Sequence, residues 1–147
     1  MVRGRRFASM ILFVVCAGLA LGMGGLTGED VPTRIPTPEQ NFVATVVDQA
    51  DVRTRVTLLS IEGYTVFVGK MGKGQLAVPF AEVKRADFRM SGDALEALLH
   101  LKTGKDLVLS VDRRKECYGK TEFGNYRIAL GDIKMLTIDS QITPKTP

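Results

Sequence analysis

The sequence predicts an all-β domain built from a duplicated unit, and three observations support this prediction. Residues 65–88 and 115–138 align without a gap, and a repeat of this period usually reports a duplicated supersecondary unit. Short runs alternate apolar and polar residues, which is the pattern of strands with one buried face. Glycine-rich corners separate these runs. The chain of 147 residues is long enough for one such domain plus appendages.

The repeat preserves loop glycines, a lysine, a corner acid and apolar positions. The matching pairs are Gly69 with Gly119, Lys70 with Lys120, Gly74 with Gly124, Glu82 with Asp132, Leu76 with Tyr126, Val78 with Ile128, Phe80 with Leu130, Val83 with Ile133, Ala86 with Leu136 and Phe88 with Ile138.

Residues 1–22 have the pattern of a signal peptide. Met1 to Arg6 is basic, Phe7 to Leu21 is apolar, and small residues near its end suit cleavage after Ala20 or Gly22. We therefore expect export to the periplasm or the medium, with no transmembrane span in the mature chain.

A second interpretation of this segment makes Cys16 the acylated residue of a lipoprotein. The surrounding FVVCAG resembles a lipobox imperfectly, because Val15 stands where a small residue normally precedes the cysteine.

The basic composition of the chain is concentrated in its first residues. Three of the 20 lysines and arginines lie within residues 1–6, and the remaining 17 face 16 acids. The processed chain would have a net charge near +1, so the composition gives no reason to expect nucleic acid as a partner.

The ends of the mature chain are predicted to lie outside the domain. Residues 23–40 are rich in glycine and proline and are typical of a linker. Residues 41–140 form the domain, with repeats at about 42–90 and 94–139. Residues 141–147 are predicted to be a disordered tail.

The first repeat begins with a hairpin and continues through two further strands. Strands are predicted at Phe42–Val47, Val52–Ile61, Tyr64–Val68 and Gln75–Phe80, in that order. Gly69–Gly74 is predicted to be a loop because it holds three glycines. Pro79 indicates an edge strand or a strand end, since proline cannot donate to a ladder. Ala81 and Glu82 then turn the chain into residues 83–90.

The second repeat follows the same order. Its predicted strands are Ala94–Leu101, Asp106–Val111, Glu116–Tyr118, Asn125–Leu130 and the closing Ile133–Ile138, with a loop at Gly119–Gly124. Residues 91–101 also contain good helix formers behind a possible cap, so a short helix is the alternative there.

Leaving aside the segments that follow the two corners, residues 83–90 and 133–138, we count four strands for each unit and expect about eight in all. A single unit buries too little apolar surface to be stable alone. The two units are therefore predicted to pack as a small β-sandwich or barrel with pseudo-twofold symmetry.

The mature chain lacks the residues of a recognisable metal or catalytic site. It holds one histidine, His100, and one cysteine, Cys117, whereas zinc sites need several such ligands. Cys117 aligns with the apolar Phe67 and is predicted to be a buried thiol, and His100 a half-exposed sheet residue. We expect no cofactor, no metal and no catalytic residue.

Two glycine loops supply the candidate ligand-binding residues. Neither loop precedes a helix, so a phosphate-binding loop is not indicated. Lys70, Lys73 and Lys120 are candidates for an anionic surface such as a headgroup or an acidic glycan. Phe123 either anchors a partner or folds back over the barrel mouth.

The preferred hypothesis is a non-enzymatic binding or scaffolding module of the cell envelope. An envelope protein or an extended peptide would add to an edge strand, Gln75–Phe80 or Asn125–Leu130, and the same edges leave a homodimer open. One alternative is a hydrolase that pairs Glu82 with Asp132 across the repeats. The other is anionic-surface binding by the loop lysines.

Overall fold

The computed structural model describes residues 32–144, which form ten antiparallel strands and two 3₁₀ turns. The signal-peptide prediction and residues 23–31 of the predicted linker lie outside the described residues. The strands are β1 (Asn41–Asp48), β2 (Arg53–Ile61), β3 (Val66–Met71), β4 (Gly74–Pro79), β5 (Val83–Ser91), β6 (Ala94–Leu101), β7 (Asp106–Val111), β8 (Glu116–Lys120), β9 (Asn125–Ala129) and β10 (Ile133–Ile142).

The predicted all-β class is confirmed, and the expected strand count of about eight is too low. Residues 83–91, which follow the first corner, form the full strand β5, which the count of four strands per unit omitted. Residues 94–101 are also a strand and not the alternative helix.

All ten strands belong to one sheet, which curls into a half barrel. Its strand order is β4-β3-β7-β6-β5-β10-β1-β2-β8-β9. The sheet is neither a closed barrel nor a two-sheet sandwich, because β4 and β9 remain as its two edges.

The pairings connect the first half, residues 41–91, with the second half, residues 94–142. The hairpin β3–β4 pairs through β3 with β7, and the hairpin β8–β9 pairs through β8 with β2. Strand β5 lies between β6 and β10, and β10 continues onto β1. Most strands therefore pair with at least one strand of the other half.

The two 3₁₀ turns make the corners that precede β5 and β10. They span Phe80–Glu82 and Leu130–Asp132. The Phe80 N–H donates to the Thr65 carbonyl at 2.9 Å, and the Leu130 N–H donates to the Lys115 carbonyl at 2.8 Å. Each corner is thus tied back to the start of the hairpin that precedes it.

Two glycines of the predicted loops lie instead inside strands. Gly69 is in β3 and Gly119 is in β8, and both are buried. A Cβ at Gly69 would lie 2.8 Å from the Leu109 Cβ, and a Cβ at Gly119 would lie 2.6 Å from the Val56 Cβ. The glycines are therefore required by close strand packing, and the first turn shortens to Gly72 and Lys73.

A β-bulge interrupts the predicted alternation of β2. Leu58 has a φ of 51°, and the register of β2 against β8 shifts between Thr57 and Ser60. The extra residue reverses the inward phase, so that Leu59 and Ile61 are buried and Leu58 is half-buried.

The buried face of the sheet carries a single apolar cluster. Phe80 of the first 3₁₀ turn belongs to it, with its ring centroid 5.7 Å from that of Phe42 and 4.8 Å from that of Phe67. Cys117 is fully buried in this cluster, as predicted, and burial, followed by the charge of Glu116, raises the pKa of its thiol to about 12. The thiol is therefore an inert apolar group at neutral pH.

Both ends of the domain extend beyond the predicted boundaries. In the predicted linker, Pro38 is buried, and the Thr33 carbonyl accepts a hydrogen bond of 3.1 Å from the Asn125 side chain. At the other end, β10 continues to Ile142, which pairs with Asn41. The first two residues of the predicted tail are consequently part of the sheet.

Candidate functional site

The four predicted ligand-binding residues lie in different places on the sheet. Lys120 and Phe123 line one open cavity of about 720 Å³. Lys70 lines another cavity of about 320 Å³ beside β7, and Lys73 lines neither. The structure therefore brings together two of the four residues and separates the other two from them.

The larger cavity lies between β2 and the loop that joins β8 to β9, and we call it the β2–β8 groove. Residues 53–57 of β2 form one side, and residues 120–123 form the other. Strand β2 pairs with β1 and β8 on its two sides. Along residues 53–56, however, β2 pairs only with β1, because β8 joins it from Thr57 onward. The groove therefore presents side chains together with a backbone edge of β2 that has no strand partner among residues 32–144.

Three cations line the β2–β8 groove. Arg53 and Arg55 are exposed and share one face of β2 because they are two residues apart. Thr57 continues this row and lies directly opposite Lys120 in the register. The two arginines were not predicted as site residues, although their alternation on the polar face of this strand is visible in the sequence.

The charge of the groove is largely uncompensated. Within the described residues, no carboxylate lies within ion-pair distance of Arg53, Arg55 or Lys120. Glu122 is the acid that lines the groove. Arg53 acts at longer range on Asp51, whose pKa is lowered first by its hydrogen bond to Lys134 and only weakly by Arg53.

Hydrogen bonds to Thr121 close the loop at the end of the groove, and this loop carries the exposed Phe123. The Thr121 hydroxyl accepts hydrogen bonds from the N–H groups of Phe123 and Gly124, both at 3.1 Å, and donates to the Gly124 carbonyl at 2.9 Å. The Thr121 N–H donates to the same carbonyl at 2.8 Å. Phe123 is 92% exposed, so it does not fold back over the sheet.

A second polar cluster surrounds His100 on the exposed face of the sheet. The Nε2 of His100 lies 2.8 Å from Asp87 Oδ2, and the Nδ1 lies 2.8 Å from Asp106 Oδ1. Arg85 donates to Asp87 at 2.9 Å. The hydrogen bonds to Asp87 and then Asp106 raise the pKa of His100 above its ordinary 6.5, because both stabilise the imidazolium.

This arrangement is unsuited to general-base catalysis by His100. Both ring nitrogens are held by carboxylates, so neither is left to accept a proton from a substrate. The residues come from β5, β6 and β7. In the register of these strands, Arg85 lies opposite His100, and His100 lies opposite Asp106. The cluster is therefore best explained as a link between three strands.

The acids of the hydrolase alternative lie at opposite ends of the β5–β10 pair. Glu82 precedes β5 and Asp132 precedes β10, and these strands are antiparallel, with Met135 opposite Asp87. Asp132 would lie opposite residue 90, eight residues from Glu82, or roughly 26 Å along the strand. The carboxylates of glycosidases lie within about 10 Å of each other, so the predicted pairing of these two acids is wrong.

The two edge strands differ in their exposure. In β4, four of the six residues are exposed, namely Gly74, Gln75, Ala77 and Pro79. In β9 every residue is half-buried, and Asn125 is bonded to the segment before β1. Both strands predicted for peptide addition are edges of the sheet, and β4 is the more open one.

The described residues contain no group of three or more metal-ligating side chains and no helix long and apolar enough to span a membrane. Residues 38–141 match the model of a protein family that carries the description "Uncharacterised protein". The searches of curated proteins and of solved structures gave no match.

Proposed function

Because the chain belongs to this family of uncharacterised proteins, we propose its function from its own geometry: it is an exported, non-enzymatic binding module of the cell envelope. Its partner adds an extended segment to the sheet along β4. The observation that carries this proposal is the open edge of β4 at one end of the sheet.

Strand β4 suits the addition of a strand in several respects. It pairs along its length with β3, from Met71 opposite Gly74 to Val66 opposite Pro79. Its other side has no paired strand among residues 32–144, and backbone groups on such an edge can pair with an extended chain. Its small exposed residues Gly74 and Ala77 allow a close approach, while Pro79 limits the addition to the first part of the strand.

The proposed export rests on the basic and apolar pattern of residues 1–22. The intact mass of the chain isolated from its host tests this part. A chain that starts after Ala20 or Gly22 supports release, and a chain that starts at a diacylated Cys16 supports a lipoprotein. A mass that includes residue 1 contradicts export by cleavage.

We further propose that the sheet arose by duplication and has a pseudo-twofold axis between β5 and β10. The strand order supports this idea, since it reads β4-β3-β7-β6-β5 from one end and β9-β8-β2-β1-β10 from the other. Each strand then corresponds to the strand at the same place in the other repeat. Under this proposal, the second hairpin of each repeat, β3–β4 or β8–β9, pairs with the first hairpin of the other repeat.

The peptide-binding proposal is tested by site-specific photocrosslinking in the host. A photoreactive side chain replaces Ala77 on β4 or, as the matched control, Arg89, which is exposed on β5 within the sheet. We expect position 77 to crosslink to one continuous segment of an envelope protein and position 89 to give no such product. The synthetic peptide of that segment should then protect β4 amides from hydrogen exchange.

Two outcomes contradict the proposal. One is the same set of adducts at both positions, which indicates random collision. The other is a peptide that binds but protects amides elsewhere on the sheet and leaves β4 unprotected.

A further inference from the structure

The edge of β2 that faces the β2–β8 groove is open along the first half of the strand. Residues 53–56 pair with β1 on one side, whereas β8 joins the other side only from Thr57, which lies opposite Lys120. Beyond Lys120 the chain turns away into the loop at residues 121–124, and three N–H groups of this loop are bonded within the loop itself. These donors are therefore not used to pair with β2.

The hydrogen bonds between β1 and β2 determine which backbone groups face the open edge. The Asp48 N–H donates to the Val52 carbonyl at 3.1 Å. Hydrogen-bonded and non-hydrogen-bonded pairs alternate along an antiparallel ladder, so Thr54 is bonded to β1 whereas Arg53 and Arg55 are not. The N–H and C=O groups of the two arginines therefore point into the groove, at a spacing of roughly 7 Å.

The side chains beside this edge are cationic. Arg53 and Arg55 lie on the outer face of the strand, and Lys120 shares that face because it pairs with Thr57. Within residues 32–144, no carboxylate lies within ion-pair distance of these three cations. On the inner face, Val56 is buried. A strand added here would thus meet positive charge on its outer face and apolar packing on its inner face.

The equivalent edge in the other half is not cationic. The hairpin β6–β7 has the same turn hydrogen bonds as β1–β2, and β3 joins β7 at the position that corresponds to the junction of β8 with β2. Counted from the turns, Asp106 stands where β2 has Arg53, and Val108 stands where it has Arg55. The open edge follows from the fold, whereas its positive charge is particular to β2.

We propose that the first half of β2 binds an extended acidic peptide, which adds an antiparallel strand in the β2–β8 groove. Two carboxylates of the peptide, separated by a single residue, lie opposite Arg53 and Arg55, and Lys120 reaches the second of them. The residue between the two acids faces inward and is apolar. This site is distinct from the β4 edge and does not depend on peptide binding there.

The open backbone edge favours a peptide over other polyanions. An extended peptide presents its N–H and C=O groups at the same two-residue period as the edge of β2. In that register its acidic side chains lie directly opposite the arginines, and opposite charges in such cross-strand pairs stabilise a sheet. An acidic sugar chain or a lipid surface can match the charges but has no such repeat of backbone donors and acceptors.

The surroundings of the edge limit the peptide to two acids with apolar flanks. Asp51 precedes the strand, and Glu122 lines the groove at the other end. A further carboxylate near either of these acids would be repelled. Phe123, which is 92% exposed, lines the same groove and offers an apolar contact to the flank at that end.

The first test measures amide hydrogen exchange by two-dimensional NMR on the isotope-labelled chain isolated from its host, at low salt. The probe is the capped peptide Val-Glu-Val-Glu-Val. We expect the amides of Arg53 and Arg55 to exchange more slowly when the peptide is bound. The amides of Asp106 and Val108 on the equivalent edge, and those of β4, should be unchanged.

Variants of the chain test the role of the charges. The double variant R53A/R55A should weaken peptide binding at least fivefold. The matched control K102A/K105A removes the same charge from the turn between β6 and β7, and it should leave binding within twofold. Equal effects of the two double variants would overturn the proposal, because they would show attraction by net charge alone.

Variants of the peptide test the ladder itself. In an antiparallel pair the two glutamates direct their N–H groups toward β2, and the central valine directs its N–H away. N-methylation of both glutamates should therefore weaken binding at least tenfold, and N-methylation of the central valine should leave it within threefold. The proposal is overturned by equal effects of these methylations, by equal binding of a galacturonic acid hexamer, by protection of β4 instead of residues 53 and 55, or by absence of peptide binding.

Discussion

Gly69 in β3 and Gly119 in β8 determine how closely each of these strands approaches its partner in the other half. Both have ordinary backbone angles, so they are not there for a left-handed conformation. They are there because a Cβ would overlap the side chains and backbone of β7 in one case and Val56 of β2 in the other. The absence of a Cβ at each of these two positions therefore allows the hairpin to pack against its neighbouring strand.

Gly119→Ala is therefore expected to destabilise the protein. The new methyl would lie 2.6 Å from the Val56 Cβ, and such overpacking typically lowers the free energy of unfolding by about 1–3 kcal/mol. Urea unfolding followed by circular dichroism measures the change. The control Gly74→Ala, whose Cβ would have its nearest contact at 3.6 Å, should change stability by less than about 0.5 kcal/mol. Equal effects of the two substitutions would contradict this packing argument.

At the scale of the strands, hydrogen-bonded ion pairs around His100 link β5, β6 and β7. The imidazole bridges Asp87 and Asp106, and only the protonated ring can donate to both carboxylates at once. Since the folded state holds the proton more tightly than the unfolded chain does, the pKa of His100 is raised. The link is consequently pH-dependent.

The sign of this dependence follows from linkage. The stabilisation is fully present below the unfolded pKa of about 6.5 and is lost as the pH rises through the higher folded value. We therefore expect the difference in unfolding free energy between the wild type and His100→Gln to be larger at pH 6 than at pH 9. Urea titrations of both proteins across this range measure it. A constant difference, or one that grows with pH, would refute the imidazolium link.

At the scale of the whole molecule, the sheet is held together mainly by pairings between its halves. Five of the nine strand pairings join residues 41–91 to residues 94–142. The pairings within a half are four separate hairpins, and neither β5 nor β10 has a partner in its own half. An isolated hairpin is at best marginally stable in water.

Fragments 32–92 and 93–144 are thus expected to be unfolded when each is alone and to assemble when they are mixed. Dispersion of amide signals in two-dimensional NMR spectra measures folding in each sample. We expect narrow dispersion for the separate fragments and the dispersion of the intact chain in an equimolar mixture. Native-like dispersion from either fragment by itself would show that a half folds independently.

The sequence by itself determined the all-β class, most strand positions, the buried thiol and the edge character of two strands. These follow from local causes: the alternation of apolar residues, the glycine and proline content of turns, and the missing N–H of Pro79. The packing roles of Gly69 and Gly119 could not be predicted from the sequence, because glycine-rich segments locally indicate a loop. Their true partners are more than 30 residues away in the chain.

The tertiary structure alone decided which residues meet. The lysines at positions 70 and 120 look equivalent in the repeat, yet they line separate cavities, and the arginines that accompany Lys120 come from β2. The same register keeps Glu82 and Asp132 apart at opposite ends of antiparallel strands. Strand pairing between distant segments is set by the packing of the whole buried face, and short-range patterns carry no record of which strands become neighbours.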